Sequence, residues 1–144
     1  MIAVDTNLLV YAHRRDSPWF EPARAALRRM VEGAAPWGIP WPCMHEFLAV
    51  CTHPNIYRPP TEVPRALEQV AALLASPSSI LLNEPAGYWP VLGRLLAAGQ
   101  ATGARVNDAR IAALCLCHGV SELWSADRDF SRFPELKTRN PLVG

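Results

Sequence analysis

The chain has 144 residues, half of them hydrophobic, and a formal net charge of +1. This length fits one domain over residues 1–144 with a full apolar core, and so small a charge does not by itself indicate a nucleic-acid binder. No stretch reaches about 18 apolar residues without a charge or a proline, and no basic region precedes an apolar N-terminal segment, so we expect neither a membrane span nor a signal peptide. The expected compartment is the cytoplasm, where the four cysteines would stay reduced.

Strand and helix patterns alternate along the chain, which predicts an α/β fold with a mainly parallel sheet. Short apolar segments predict strands at about 2–5, 37–40, 79–82, 122–125 and 138–139. Capping residues and apolar periodicity predict a helix beginning near Leu8 and further helices at about 17–31, 42–51, 61–75, 87–98 and 107–119.

The helix predicted at 61–75 is amphipathic. Thr61 is its predicted cap, and its apolar face is formed by Val63, Leu67, Val70 and Leu74. The helices within 8–31 and 42–75 carry more apolar residues than one buried face needs. The surplus either thickens the core or provides an interaction surface.

Acidic residues recur where the predicted strands end. Asp5 directly follows the first strand, at the edge where open α/β sheets bind ligands. Asp127, with Asp129 two residues on, follows the fourth predicted strand and should emerge at the same edge. Asp108 lies at a helix start, where the helix dipole favours an anion. Glu46, in the first half of its helix, needs only that helix to lean over this edge.

Several carboxylates close together repel one another strongly unless a cation lies between them. Mg²⁺ prefers oxygen ligands and needs only one or two direct carboxylates. Such an ion lowers the pKa of a bound water and stabilises a phosphoryl oxyanion. The pattern therefore indicates metal-assisted hydrolysis of a phosphodiester.

Each acid also has a purely structural interpretation. Asp5 and Asp108 could be helix caps, Glu46 could be an exposed helical side chain, and Asp127 with Asp129 could form a turn. The joint position at one edge favours a site instead. Phosphatases of the haloacid-dehalogenase type and response-regulator receivers also begin with an Asp at a strand end. Both need a lysine near the phosphate, and the single lysine of this chain lies close to the C-terminus.

Tryptophans and cysteines could form other sites. Trp37 and Trp41 flank a proline-rich bend and are expected to be partly exposed, available to RNA or a partner. Cys115, Cys117 and His118 lack the paired spacing of a structural zinc site, so we expect core or surface roles for them.

The sequence resembles the PIN domain and, within it, the VapC-type ribonuclease toxins of bacterial toxin–antitoxin modules. The resemblance covers nearly the whole chain and depends on motifs in a fixed order: Val4-Asp5-Thr6-Asn7, a helical Glu46, Asn107-Asp108-Ala109-Arg110, and Ser125-Ala126-Asp127-Arg128-Asp129-Phe130. The segments from Leu9 to Pro18 and from Thr52 to Pro54 resemble a subgroup abundant in mycobacteria.

The resemblance implies a three-layer α/β/α fold with a central, mainly parallel sheet of about five strands. It implies an acidic pocket that binds Mg²⁺, or alternatively Mn²⁺, with Asp5 and Asp108 as metal ligands. Glu46 and Asp127 match the other two catalytic acids. Polar positions that orient the carboxylates match Asn7 and Ser125, while Asp129 matches a more variable position.

The resemblance also implies macromolecular partners. These are an RNA substrate, a second copy of the chain in a homodimer, and a cognate VapB-like antitoxin that crosses the active site. RNA-binding candidates near the predicted edge are Arg14, Arg15, Arg110 and Arg128. Each of them could equally be a solvated surface charge.

Three functions remain open at this point. The first is a metal-dependent endoribonuclease toxin of a type II toxin–antitoxin system that cleaves RNA and inhibits translation. The second is a catalytically silent PIN-like module that binds RNA or protein. The third is a DNA-directed nuclease of the flap-nuclease type, for which the chain is short and lacks an evident duplex-gripping segment.

Overall fold

The computed structural model describes residues 1–143. The strands are β1 (Ile2–Val4), β2 (Trp37–Pro40), β3 (Ser79–Leu82), β4 (Glu122–Trp124) and β5 (Thr138–Arg139). The helices are α1 (Thr6–His13), α2 (Phe20–Glu32), α3 (Trp41–Cys51), α4 (Val63–Ala75), α5 (Tyr88–Ala98), α6 (Arg105–Cys117) and a short 3₁₀ helix (Arg128–Arg132). The strands form one sheet in the order β3-β2-β1-β4-β5, and every neighbouring pair is parallel.

The connections between the strands create three layers. The chain moves from β1 through β2 to β3, then returns past β1 to form β4 and β5. Right-handed crossovers therefore place α1 to α4 on one face of the sheet and α5 with α6 on the other. The packing agrees, because α1 contacts α2 and α3, α3 contacts α4, and α5 contacts α6. The predicted α/β/α fold with five parallel strands is confirmed.

The interior of the sheet is apolar on both faces, as expected for parallel strands covered by helices. Ala3, Ile39 and Leu123 are all fully buried. Trp37 is also buried, and its ring N–H donates to the Ser78 hydroxyl at 3.1 Å. The expectation that Trp37 is partly exposed is therefore wrong, because β2 lies between β1 and β3 and is covered by helices.

Helix α4 exposes most of its predicted apolar face to solvent, although Val70 packs against the core. Val63 is 57% exposed and Leu67 is 52% exposed, whereas the buried residues of this helix are Ala66 and Leu73. Thr61 does not cap the helix, whose N-cap is Glu62 without a side-chain hydrogen bond. The apolar surplus of this helix is thus a surface and not a thicker core.

Other element bounds differ from the sequence prediction by a few residues. Helix α2 begins at Phe20 because the Ser17 hydroxyl accepts from the Trp19 N–H at 3.1 Å, which closes a turn ahead of the helix. Helix α6 begins at Arg105, so Asp108 lies within its first turn. Among residues 1–143, no helix has both the length and the apolar character needed to cross a membrane. The four cysteines are all free thiols.

Candidate active site

Asp5 occupies the point where β1 passes into α1. It is the N-cap of α1, and its Oδ1 accepts from the Thr6 N–H at 2.8 Å. The same oxygen accepts from the Cys43 thiol at 3.5 Å. Only 4% of the residue is exposed. Asp5 is thus both a helix cap and a buried carboxylate at the switch point of the sheet, where the chain order reverses.

A polar network joins the carboxyl ends of β1 and β4. Asp5 Oδ2 accepts from the Ser125 hydroxyl at 2.7 Å and from the Asn7 amide at 3.2 Å. Asn7 Oδ1 in turn accepts from the Ala126 N–H at 3.1 Å. The Ser125 hydroxyl accepts from the Asp127 N–H at 3.0 Å. Asn7 and Ser125 therefore hold Asp5 and the start of the Asp127 turn in fixed positions.

Glu46 is held from two sides. Its Oε2 accepts from the Thr6 hydroxyl at 3.4 Å, and its Oε1 accepts from the Asn107 amide. Asn107 is itself contacted by the Arg110 guanidinium at 3.4 Å. Helix α3 thus presents Glu46 between the starts of α1 and α6.

Three further carboxylates gather at the start of α6 and the end of β4. Oxygen atoms of Asp108, Asp127 and Asp129 all lie within 4.8 Å of one another. Asp127 Oδ1 also caps the 3₁₀ helix by accepting from the Asp129 N–H at 2.8 Å. Arg105 forms an ion pair with Asp129, and its guanidinium lies 3.6 Å from an Asp108 oxygen. This cation offsets part of the negative charge of the cluster.

Two carboxyl groups of the site, those of Asp5 and Asp108, resist ionisation. Burial raises the pKa of Asp5 above its usual value, although the hydrogen bonds from Ser125, Thr6 and Cys43 oppose this effect. The pKa of Asp108 is raised to about 6, first by burial and then by the neighbouring carboxylates, and the Arg105 charge opposes the rise. A divalent cation would relieve both causes, because it compensates the charge that burial and repulsion disfavour.

The four predicted catalytic acids line one cavity of about 330 Å³. They are Asp5, Glu46, Asp108 and Asp127, contributed by the segments at the ends of β1 and β4 and by α3 and α6. The rest of the cavity wall includes apolar and aromatic side chains, namely Val10, Tyr11, Val50, Ile56, Tyr57 and Ile111. The sequence predicted the acidic part of this cavity but not its apolar part.

The predicted RNA-binding arginines have different environments. Arg14 makes contacts within the protein to Asp16, Thr61 and the Pro59 carbonyl. Arg15 and Arg128 are exposed. Arg110 contacts Asn107, as described above, and lines a neighbouring cavity with Trp41 and His45.

No role in the site was predicted from the sequence for Thr6, Asn107 or Arg105. Thr6 and Asn107 hold Glu46, and Arg105 pairs with Asp129, yet each belongs to a common type at an unremarkable helix position. The adjacency of Asn107 to Asp108 in the first turn of α6 was the available clue, because both side chains then point toward one helix end. Asp129, treated above as a variable position, belongs to the closest group of carboxylates.

Comparison with known proteins identifies the family of this chain. The family model for the PIN domain matches residues 2–136. Because the match spans nearly the whole chain, the protein belongs to the PIN-domain family.

Individual relatives show to which group within the PIN-domain family the chain belongs. The chain is 36% identical to Ribonuclease VapC43 of Mycobacterium tuberculosis over 144 residues, which is 100% of this chain and 97% of the relative. It is 32% identical to Ribonuclease VapC48 of the same organism, with 97% of both chains covered. Within the PIN-domain family, the protein is therefore one of the VapC ribonucleases.

Solved structures share the fold at lower sequence similarity. The VapBC2 complex of Rickettsia felis, bound to a DNA fragment from its promoter, contains a chain that superposes with a TM-score of 0.71 at 17% identity. The superposition covers 97% of this chain and 98% of that chain. Since the identity is low, this likeness establishes the fold alone.

Proposed function

We propose that this protein is a metal-dependent endoribonuclease toxin of a type II toxin–antitoxin system, which hydrolyses RNA phosphodiester bonds and thereby inhibits translation. One observation carries the proposal: four acids distant in sequence line a single cavity in a chain that belongs to the VapC ribonucleases. No described feature favours the catalytically silent alternative. The proposed unit is one domain over residues 1–144 that acts in the cytoplasm.

The donor set fits a hard divalent cation. Clustered carboxylate oxygens and a carboxyl with a raised pKa are the ligands that Mg²⁺ or Mn²⁺ accepts and stabilises. We assign Asp5 and Asp108 as the ligands, and Asp127 lines the same cavity beside them. When bound, such a cation supplies Lewis acidity toward the phosphoryl oxygen and lowers the pKa of water.

The protein residues would then divide the remaining tasks. Glu46 is fixed by Thr6 and Asn107 and lines the cavity, so its Oε2 can orient the attacking water and accept its proton. Asp127 lines the same cavity and can share this role. Asn7 and Ser125 do not contact the substrate in this scheme but keep Asp5 in one orientation, which reduces the reorganisation needed during reaction.

The substrate is proposed to be single-stranded or looped RNA, because a site of this kind must reach an exposed phosphodiester. Arg15, Arg110 and Arg128 remain candidates for phosphate contacts, whereas Arg14 is engaged within the protein. The proposed partners are a VapB-like antitoxin and a second copy of the chain. The apolar face of α4 is a surface that such partners could cover.

The test is RNA cleavage by purified protein freed of any partner. Cellular RNA is incubated with Mg²⁺, Mn²⁺ or EDTA and with the variants Asp5→Asn and Asp108→Asn. The matched control is Glu68→Gln, which neutralises an exposed carboxylate of α4 outside the cavity. We expect discrete products that need the metal and both aspartates and that survive in the control. Cleavage in EDTA, or no cleavage by the folded wild-type protein with either metal, contradicts the proposal.

A further inference from the structure

The cavity has an apolar half that phosphodiester hydrolysis does not itself require. Val10, Tyr11, Val50, Ile56 and Tyr57 form this half and line the same cavity as the acids. Ile56 is 53% exposed although it is a large aliphatic residue. At about 330 Å³ the whole cavity lies at the lower end of the range of small-ligand pockets, about 300–1,000 Å³. It therefore offers an apolar surface beside the acids on the scale of one small planar group.

Arg14 holds the loop that carries Ile56 and Tyr57 through several contacts. The Arg14 guanidinium donates to Asp16 at 2.9 and 2.7 Å, to the Thr61 hydroxyl at 3.2 Å and to the Pro59 carbonyl at 2.9 Å. It also lies 4.4 Å from the centroid of the Tyr57 ring, within cation–π range. Because α1 carries Arg14 at its end, the loop is tied directly to the helix that begins at Asp5.

Backbone hydrogen bonds also hold the same loop in place. The N–H groups of Ile56 and Tyr57 both donate to the His53 carbonyl at 3.1 Å, and the Thr61 N–H donates to the Cys51 carbonyl at 2.8 Å. A wall with this many internal bonds is preorganised, so little ordering entropy is lost when a ligand packs against it.

We propose that Ile56 and Tyr57 form a subsite for the nucleobase next to the scissile phosphate. The inference rests on the proposed function and names how the same site holds its substrate. In RNA every phosphate is attached to a nucleoside on either side, so a phosphate at the acids brings a base to the adjoining wall. A second phosphate there would be repelled by the acids, whereas a base has apolar faces that pack on aromatic and aliphatic side chains.

This geometry predicts that the subsite selects RNA by its shape more than by the identity of the base. Packing against a base face is sequence-tolerant because every base has such a face. The base must be unstacked from its neighbours to enter, which favours single-stranded or looped RNA. An apolar segment of a protein partner could contact the same wall, and the test below separates that occupant from a base.

The test measures binding without chemistry. Fluorescently labelled single-stranded RNA hexanucleotides, each with one abasic nucleotide at a successive position, are titrated with the Glu46→Gln protein in Mg²⁺. This background keeps the proposed metal ligands. We expect the abasic change at one position to raise the Kd about tenfold, which is the size of one base–aromatic contact. Adding Ile56→Ala or Tyr57→Leu should weaken binding of the intact hexanucleotide similarly and make that abasic change nearly neutral.

Control variants make the result specific. Ile80→Ala removes the same atoms from an exposed isoleucine of β3 outside the cavity. It should leave the ratio of the Kd values for the abasic and the intact hexanucleotide unchanged. Tyr57→Phe keeps the ring and should retain the base dependence. Thermal denaturation checks that Tyr57→Leu is folded, and Ile56→Ala, at an exposed position, tests the subsite independently of that check.

Two outcomes overturn the subsite. One is an abasic effect that persists in both Ile56→Ala and Tyr57→Leu, or that is absent at every position, because either result means that this wall does not hold a base. The other is no measurable binding of any hexanucleotide. Cleavage of the same intact hexanucleotides by wild-type protein reports on the proposed ribonuclease activity, so failure of that activity and failure of the subsite are separate results.

Discussion

Replacing Asp108 by asparagine should stabilise the metal-free protein while it removes activity. The pKa of Asp108 rises from 3.8 to about 6 because of burial and neighbouring carboxylates. One pKa unit corresponds to about 1.4 kcal/mol, so the rise would be about 3 kcal/mol for a fully shielded group. Solvent screening around this half-buried side chain reduces the expected gain in unfolding free energy to about 1–2 kcal/mol at neutral pH.

The sign of this effect follows from proton linkage. In the unfolded chain Asp108 ionises near its ordinary pKa of 3.8, whereas in the folded protein it keeps its proton until about pH 6. Folded protein therefore binds more protons in this window, and stability falls as the pH rises through it. The unfolding free energies of wild type and Asp108→Asn should differ little at about pH 4 and most above about pH 6.

Urea denaturation at about pH 4 and about pH 7.5, with EDTA present, measures this difference. Millimolar Mg²⁺ should then raise the Tm of wild type at neutral pH and leave that of Asp108→Asn nearly unchanged, because only the former keeps both proposed ligands. Glu68→Gln is the control and should behave as wild type. A variant that is less stable than wild type at neutral pH in EDTA would refute the reasoning, since it would mean that the Asp108 charge is favourable in the folded state.

Further predictions concern the network, the cluster and the surface of α4. Ser125→Ala removes the 2.7 Å donor to buried Asp5 and should cost about 1–3 kcal/mol of unfolding free energy in urea; a neutral effect would mean that water replaces the hydroxyl. Arg105→Ala removes the cation beside the carboxylate cluster, so the Tm of the metal-free protein should fall and the rise in Tm on adding Mg²⁺ should be larger than for wild type. An equal rise in both proteins would argue against competition between the Arg105 guanidinium and Mg²⁺. Leu73→Ala should lower the unfolding free energy by about 2–4 kcal/mol, whereas Leu67→Ala should change it by no more than about 0.5 kcal/mol. Comparable losses for the two variants in urea denaturation would contradict the observed orientation of α4.

The fold and the acidic centre were accessible from the sequence because they depend on local signals. An apolar segment that ends in Asp5 and runs into helix-capping residues defines both a strand end and the start of α1. In a parallel sheet all such strand ends meet at one edge, so Asp127 could be placed beside Asp5 without knowing any contact.

Features set by tertiary contacts were not accessible. The pattern of α4 marks its larger apolar side chains as the buried face, but the small Ala66 allows the close approach to the core and Leu67 is left outside. Trp37 precedes a proline-rich bend in sequence, yet its burial depends on the strands on either side. Arg14 resembles an exposed helix-end charge, and only the folded loop supplies its acceptors.

The order of strands has a consequence for synthesis. The acidic centre needs β1, which precedes the other elements of the domain, and β4, which is complete only at Trp124 and pairs directly with β1. A ribosome must therefore release almost the entire chain from its exit tunnel before Asp5 meets Ser125, Asp127 and Asp108. Any activity that depends on the acidic centre is therefore absent until β4 has been made and has paired with β1.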